Sequence, residues 1–168
     1  GGSWTEAIKA EQWLTQRVGE CPKPTMQAVR VKETPKMDGK LDDVIWKNVP
    51  VTSLKSAAGQ KCGTQVQMAF DDTYLYVAVQ CQQSSGMPKL QPVKPRKRDD
   101  DLRSFDRISL LFDLDRDYGT AFHLEFDARG CVMEECCGDI TWNPKWFVEV
   151  CPSDTGWSAE VAIPLVEL

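Results

Sequence analysis

Residues 64–81 read TQVQMAFDDTYLYVAVQC, and this phrase narrows the possible folds more than any other. Apolar residues alternate through Val66, Met68 and Phe70, the Asp71-Asp72 pair supplies turn chemistry, and Leu75, Val77 and Val79 alternate again. Period-two patterning on both sides of a turn predicts a β-hairpin with one buried face, because a strand sends successive side chains to opposite faces. A second phrase, DGKLDDVIW at residues 38–46, precedes it. Its polar turn feeds Val44, Ile45 and Trp46, where an aspartate can cap a short helical turn that lowers the indole onto a sheet.

The same alternation predicts strands at residues 26–31, 122–126, 132–134, 146–150 and 157–163. Residues 108–112 are apolar enough for a strand at a sheet centre, and 113–120 join it to the next strand as a hairpin loop. Residues 82–101, with Pro88, Pro92 and Pro95, suit a long surface loop rather than a helix or central strand. Near the start, Trp4, Ala7, Ile8, Trp13, Leu14 and Val18 recur among charged residues, the pattern of an amphipathic helix that Gly19 ends. The expected organisation is a helix and stiff connector over 1–24, then one all-β domain over 25–168.

A chain of 168 residues can bury a sufficient core as one domain. The net charge of −5 argues against general nucleic-acid binding, which needs a basic surface. The KPRKR run at 94–98 is followed at once by Asp99, Asp100 and Asp101, so it reads as a solvated loop that neutralises itself. No apolar stretch is long enough to span a bilayer, and no signal segment opens the chain. Seven cysteines are many for a cytosolic protein and favour export; their odd number leaves at least one unpaired within a monomer. Structural zinc is not expected, because no C-x-x-C pair occurs and Cys136-Cys137 are adjacent. That doublet reads either as a redox pair or as loop cysteines in separate disulfides.

Five phrases in order, namely the two above, RSFDRISLLFDLDRD (103–117), WNPKW (142–146) and GWSAEVAIPL (156–165), resemble the family 9 carbohydrate-binding modules and their DOMON-like relatives. The resemblance runs from Ala28 to Leu168. It implies an antiparallel β-sandwich of the jelly-roll kind without catalysis, exported to the cell exterior or periplasm, often joined to a glycosidase or to neighbouring domains of a larger parent protein. It also implies one or two further strands after AIPL, so that this is either a domain trimmed relative to the family or a sandwich completed by other means, such as the N-terminal segment or a partner.

Sugar-binding members stack a terminal sugar between two aromatic rings and bond its hydroxyls with a glutamate and an arginine. In this chain the first aromatic position is Arg103, the glutamate position is Ser109 and the arginine position is Glu125, all changed in type. The alternative aromatic surface is Trp142 with Trp146, aided by Asn143 and Arg103, since Pro144 holds a turn that could present the rings to a carbohydrate; burial of Trp146 in a strand is the competing expectation. Asp113, Asp115 and Asp117 alternate ahead of Gly119 like the opening of a calcium loop, and Asp99 with Asp101 offers a second acidic cluster, so structural calcium is the ion to expect. Haem is the weaker alternative, because DOMON-like relatives hold it between axial side chains and His123 could pair with Met68, Met87 or Met133. His123 is the single histidine and has no nucleophile motif beside it, so hydrolytic catalysis is not expected.

Overall fold

The computed structural model describes residues 3–55, 61–82 and 91–168. After helix α1 (Ser3–Gln16) come β1 (Val29–Arg30), the one-turn helix α2 (Val44–Lys47), β2 (Thr52–Lys55), β3 (Lys61–Phe70), β4 (Tyr74–Gln82), β5 (Arg107–Phe112), β6 (Phe122–Asp127), β7 (Val132–Cys136), β8 (Phe147–Pro152) and β9 (Gly156–Pro164). One sheet has the order β1-β3-β4-β9-β8, with β2 also on β3, and the other the order β5-β6-β7. Every described pairing is antiparallel except β1 beside β3. The antiparallel β-sandwich that the resemblance implies is the observed architecture.

The hairpin forms in the register the pattern predicts, with Val66 opposite Val79, Met68 opposite Val77 and Phe70 opposite Leu75. Asp71 closes its turn by accepting the Thr73 and Tyr74 amides at 2.7 and 2.8 Å and the Tyr76 hydroxyl at 2.7 Å. The face carrying Val66, Val77 and Val79 packs with Trp157, Ala159, Val161 and Ile163 of β9 against Leu124, Phe126 and Trp146. Central β9 is buried along its whole length. The opposite face of the large sheet packs Ala69, Tyr76, Ala78 and Ala162 under Ile45, Trp46 and Val49.

Glu160 explains why the DGKLDDVIW and GWSAEVAIPL phrases occur together. Its fully buried carboxylate accepts the Trp46 indole N–H at 2.8 Å and the Asp38 and Gly39 amides at 3.0 and 2.9 Å. Burial pushes this carboxyl above its ordinary range against the pull of those three donors. Gly39 stands at φ +77°, and a Cβ there would lie 2.6 Å from the Val150 carbonyl carbon, so only glycine lets the segment descend this close to the sheet.

Several expectations are corrected. Asp43 precedes α2 without a side-chain cap; its carboxylate instead accepts the Lys36 amide at 2.9 Å. The strand expected over 26–31 shortens to Val29–Arg30. Strand β5 is an edge strand, not a central one, and its Leu111 is exposed. Helix α1 ends at Gln16, with Arg17, rather than Gly19, taking the first left-handed conformation at φ 54°. It buries Ala7 and Ala10 but exposes Trp4 and Ile8, and it meets the β5–β6 loop through Tyr118, whose hydroxyl donates to Glu11 at 3.0 Å.

The basic run is not a free solvated loop. Arg96 donates to the Val148 carbonyl and pairs with Glu149, while Arg98 donates to the Pro144 carbonyl at 2.8 Å and pairs with buried Glu134. Two of its cations therefore tie the connector across the strands, which the sequence-local count of opposite charges could not show. Part of the 82–101 loop, with Met87 and Pro88, lies outside the described residues.

Candidate functional site

The small sheet presents one face to the core and one outward. Because β5, β6 and β7 pair with Ile108 opposite Phe126 and Leu110 opposite Leu124, the alternate residues Arg107, Ser109, Leu111, His123, Glu125, Met133 and Glu135 share the outward face. Ser109 lies directly opposite Glu125, and Glu125 opposite Met133.

Three polar side chains converge there on the Glu125 carboxylate, which is only 10 % exposed. The Ser109 hydroxyl donates to its Oε1. His123 Nε2 stands 3.3 Å and Arg107 Nε 3.5 Å from the same oxygen, yet neither buried nitrogen completes a hydrogen bond. Arg107 is held in place by a 3.0 Å bond from its guanidinium to the Arg103 carbonyl. The face thus offers a guanidinium, a hydroxyl, an imidazole and a carboxylate within one patch.

The residues singled out from sequence are not brought together. Trp146 is buried with its ring edge-on to Phe126, and its indole N–H donates to Glu134, which removes it as a stacking platform. The strand it enters carries it inward, and an aromatic this large finds its place in the core. Trp142 is half-buried and packs on Phe122 at 5.1 Å between ring centroids, so its ring serves the fold rather than standing free. Asn143 is exposed beside it. Arg103 is also exposed, with both ends of its guanidinium on Asp101 at 2.9 Å; the arrangement holds the Asp101 carboxyl down at about 2.

In the second acidic cluster Asp101 is thus paired with Arg103, and Asp100 with Arg129 at 3.2 Å. Asp113, Asp115 and Asp117 do converge, with one oxygen of each within 4.8 Å of the others. Much of their capacity is spent locally: Asp113 accepts the Asp117 and Tyr118 amides, and Asp117 accepts those of Gly119 and Thr120. Those two N–H donors also lower the Asp117 carboxyl below its ordinary range.

For haem, Met68 packs toward the inter-sheet core while His123 faces outward, so these two do not share a site; Met87 lies outside the described residues. The six described cysteines outside strand β3 are all free thiols, so the expected disulfides are not present among them.

The architecture has clear counterparts. Two solved structures of a family 9 carbohydrate-binding module from Caldicellulosiruptor kristjanssonii are similar, one in complex with cellotriose (TM-score 0.56, 19 % identity, 83 % of this chain and 68 % of that chain) and one in complex with glucose (TM-score 0.54, 20 % identity, 83 % and 69 %). This chain has the family 9 carbohydrate-binding module fold. No protein-family model and no curated protein matches it.

Ser109 and Glu125, two of the positions singled out by the resemblance, are hydrogen-bonded cross-strand neighbours, with Arg107 beside them. Reasoning from sequence missed Arg107 as a site residue. The available signal was its parity with Ser109 on β5, which puts both on the face that Ile108 and Leu110 do not use.

Proposed function

We propose that this domain is a non-catalytic carbohydrate-binding module, exported as an accessory part of a larger protein, and that it holds sugar on the outward face of the small sheet. The observation that carries the proposal is the convergence of Arg107, Ser109 and His123 on Glu125 on that face. Sugars need acceptors and donors along their edges, and a charged donor–acceptor set binds vicinal hydroxyls more strongly than neutral groups do. Leu111, exposed beside His123 in register, gives the apolar C–H face of a ring a surface to rest on. The similar structures holding cellotriose and glucose support a glucose-containing oligosaccharide as the ligand class. Without paired aromatic rings the expected affinity is millimolar, about 4 kcal/mol.

The β5–β6 loop is assigned a structural calcium, held by Asp113, Asp115 and Asp117, that would order the loop flanking this face. Export is supported by the resemblance.

A glycan array followed by calorimetry tests the reading. Binding to one glycan class, lost in Glu125→Ala and Arg107→Ala and kept in Trp142→Phe, is the expected result. Absence of binding to every glycan, with and without calcium, would overturn it.

A further inference from the structure

At the end of β7 two adjacent cysteines sit where the chain reverses. In a regular strand their sulfurs would point to opposite faces. Cys136 keeps the strand register, opposite Phe122, but Cys137 adopts φ +53° and Gly138 φ +84°. Two successive left-handed residues make a primed turn, closed by Cys136 N–H to Asp139 O at 3.1 Å and Asp139 N–H to Cys136 O at 2.8 Å. The first left-handed position of such a turn is ordinarily Asn, Asp or Gly. A cysteine there is held in a sparsely populated conformation, and its consequence is chemical: both sulfurs come to one side, with Sγ to Sγ at 3.7 Å.

The surroundings suit reaction rather than packing. Cys137 is exposed and borders an open pocket of about 290 Å³ lined by Phe112, Leu114, Ala121 and Phe122. Cys136 is partly covered, and burial followed by its bond to the Cys137 sulfur keeps its thiol above the ordinary range. By contrast Cys81 and Cys131 lie in the core, out of reach of reagents.

We propose that Cys136 and Cys137 form a reversible two-electron redox site that closes to a vicinal disulfide by exchange with a low-molecular-weight disulfide. The exposed Cys137 thiolate attacks one sulfur of oxidised glutathione, forming a mixed disulfide and releasing one glutathione thiolate. The Cys136 thiolate then attacks Cys137 Sγ, forming the Cys136–Cys137 bond and releasing the second glutathione. Two protein thiols are oxidised, one glutathione disulfide is reduced, and the two protons lost by the cysteines end on the two glutathione thiols. Closure draws the sulfurs from 3.7 Å to about 2.05 Å across a single peptide unit. The resulting small ring is strained, which makes the bond readily reducible.

The test is incubation of the native protein with oxidised glutathione, then alkylation and peptide mapping. The expected peptide spanning 130–145, which also holds the buried Cys131, is about 2 Da lighter than its fully reduced form, carries no alkyl group on Cys136 or Cys137, and regains both of those alkyl groups after treatment with reduced glutathione. In Cys136→Ser the reaction stops at the Cys137–glutathione adduct. A stable glutathione adduct on the unaltered protein, or a 2 Da loss that persists in Cys136→Ser, would overturn the proposal. The mapping on the unaltered protein decides even where a variant fails to fold.

Discussion

Replacing Trp46 by phenylalanine removes one hydrogen-bond donor from a buried site. The indole N–H reaches Glu160 Oε1 at 2.8 Å, and both residues are buried, at 3 % and 0 % exposure. Losing a bond to a charged acceptor costs about 1.5–3 kcal/mol, and the smaller ring gives up packing worth about 1 kcal/mol, so Trp46→Phe should destabilise by about 2.5–4 kcal/mol. Glu160→Gln alone should cost a comparable amount. Its carboxamide can accept from the Asp38 and Gly39 amides, but its NH2 then faces the indole N–H, donor against donor. In the double variant that clash is gone. The second substitution should therefore cost about 1.5–2 kcal/mol less than it does alone, a coupling typical of contacting residues. Urea unfolding of the four proteins under reducing conditions measures this. Additive costs, with coupling under about 0.5 kcal/mol, would refute the account of how the Asp38–Trp46 segment is fixed to the sheet.

Other outcomes follow from single sites. Gly39→Ala should lower the melting temperature by several degrees, a loss of about 2 kcal/mol or more from left-handed backbone and a 2.6 Å approach to Val150. In an NMR titration the Asp101 carboxyl should ionise with a midpoint of about 2, and Arg103→Gln should return it to the ordinary carboxylate range. Because the folded-state pKa is lowered, whatever stability this pair contributes is present above the unfolded-state pKa and lost as pH falls toward 2. Burial pushes the Cys81 thiol up to about 12, so at pH 8 a thiol reagent should label Cys137 long before Cys81; equal rates would contradict the burial.

Much of the fold is legible because period-two alternation is a local signal. The hairpin of β3 and β4, the core role of Trp46 and Trp157 and the strands β6, β8 and β9 all follow from residues within one strand of each other. What escaped depends on distant partners. Nothing in KPRKR announces that Arg98 reaches Glu134, and nothing near Asp43 announces that its carboxylate serves Lys36 instead of α2. Strand β5 read as central because Leu110, Leu111 and Phe112 are contiguous, whereas its edge position is set by topology. The site suffered the same limitation. Trp142 and Trp146 attracted notice by their size, yet size is also what draws a ring into a core. The polar face of the small sheet became visible only when the register put Ser109 against Glu125.

That face is the centre of the account, and an NMR titration of isotopically labelled protein with cellotriose examines it most directly. The account predicts progressive shifts confined to the backbone and side-chain resonances of Arg107, Ser109, Leu111, His123 and Glu125. Shifts centred elsewhere, or a spectrum unchanged at tens of millimolar sugar, would contradict it.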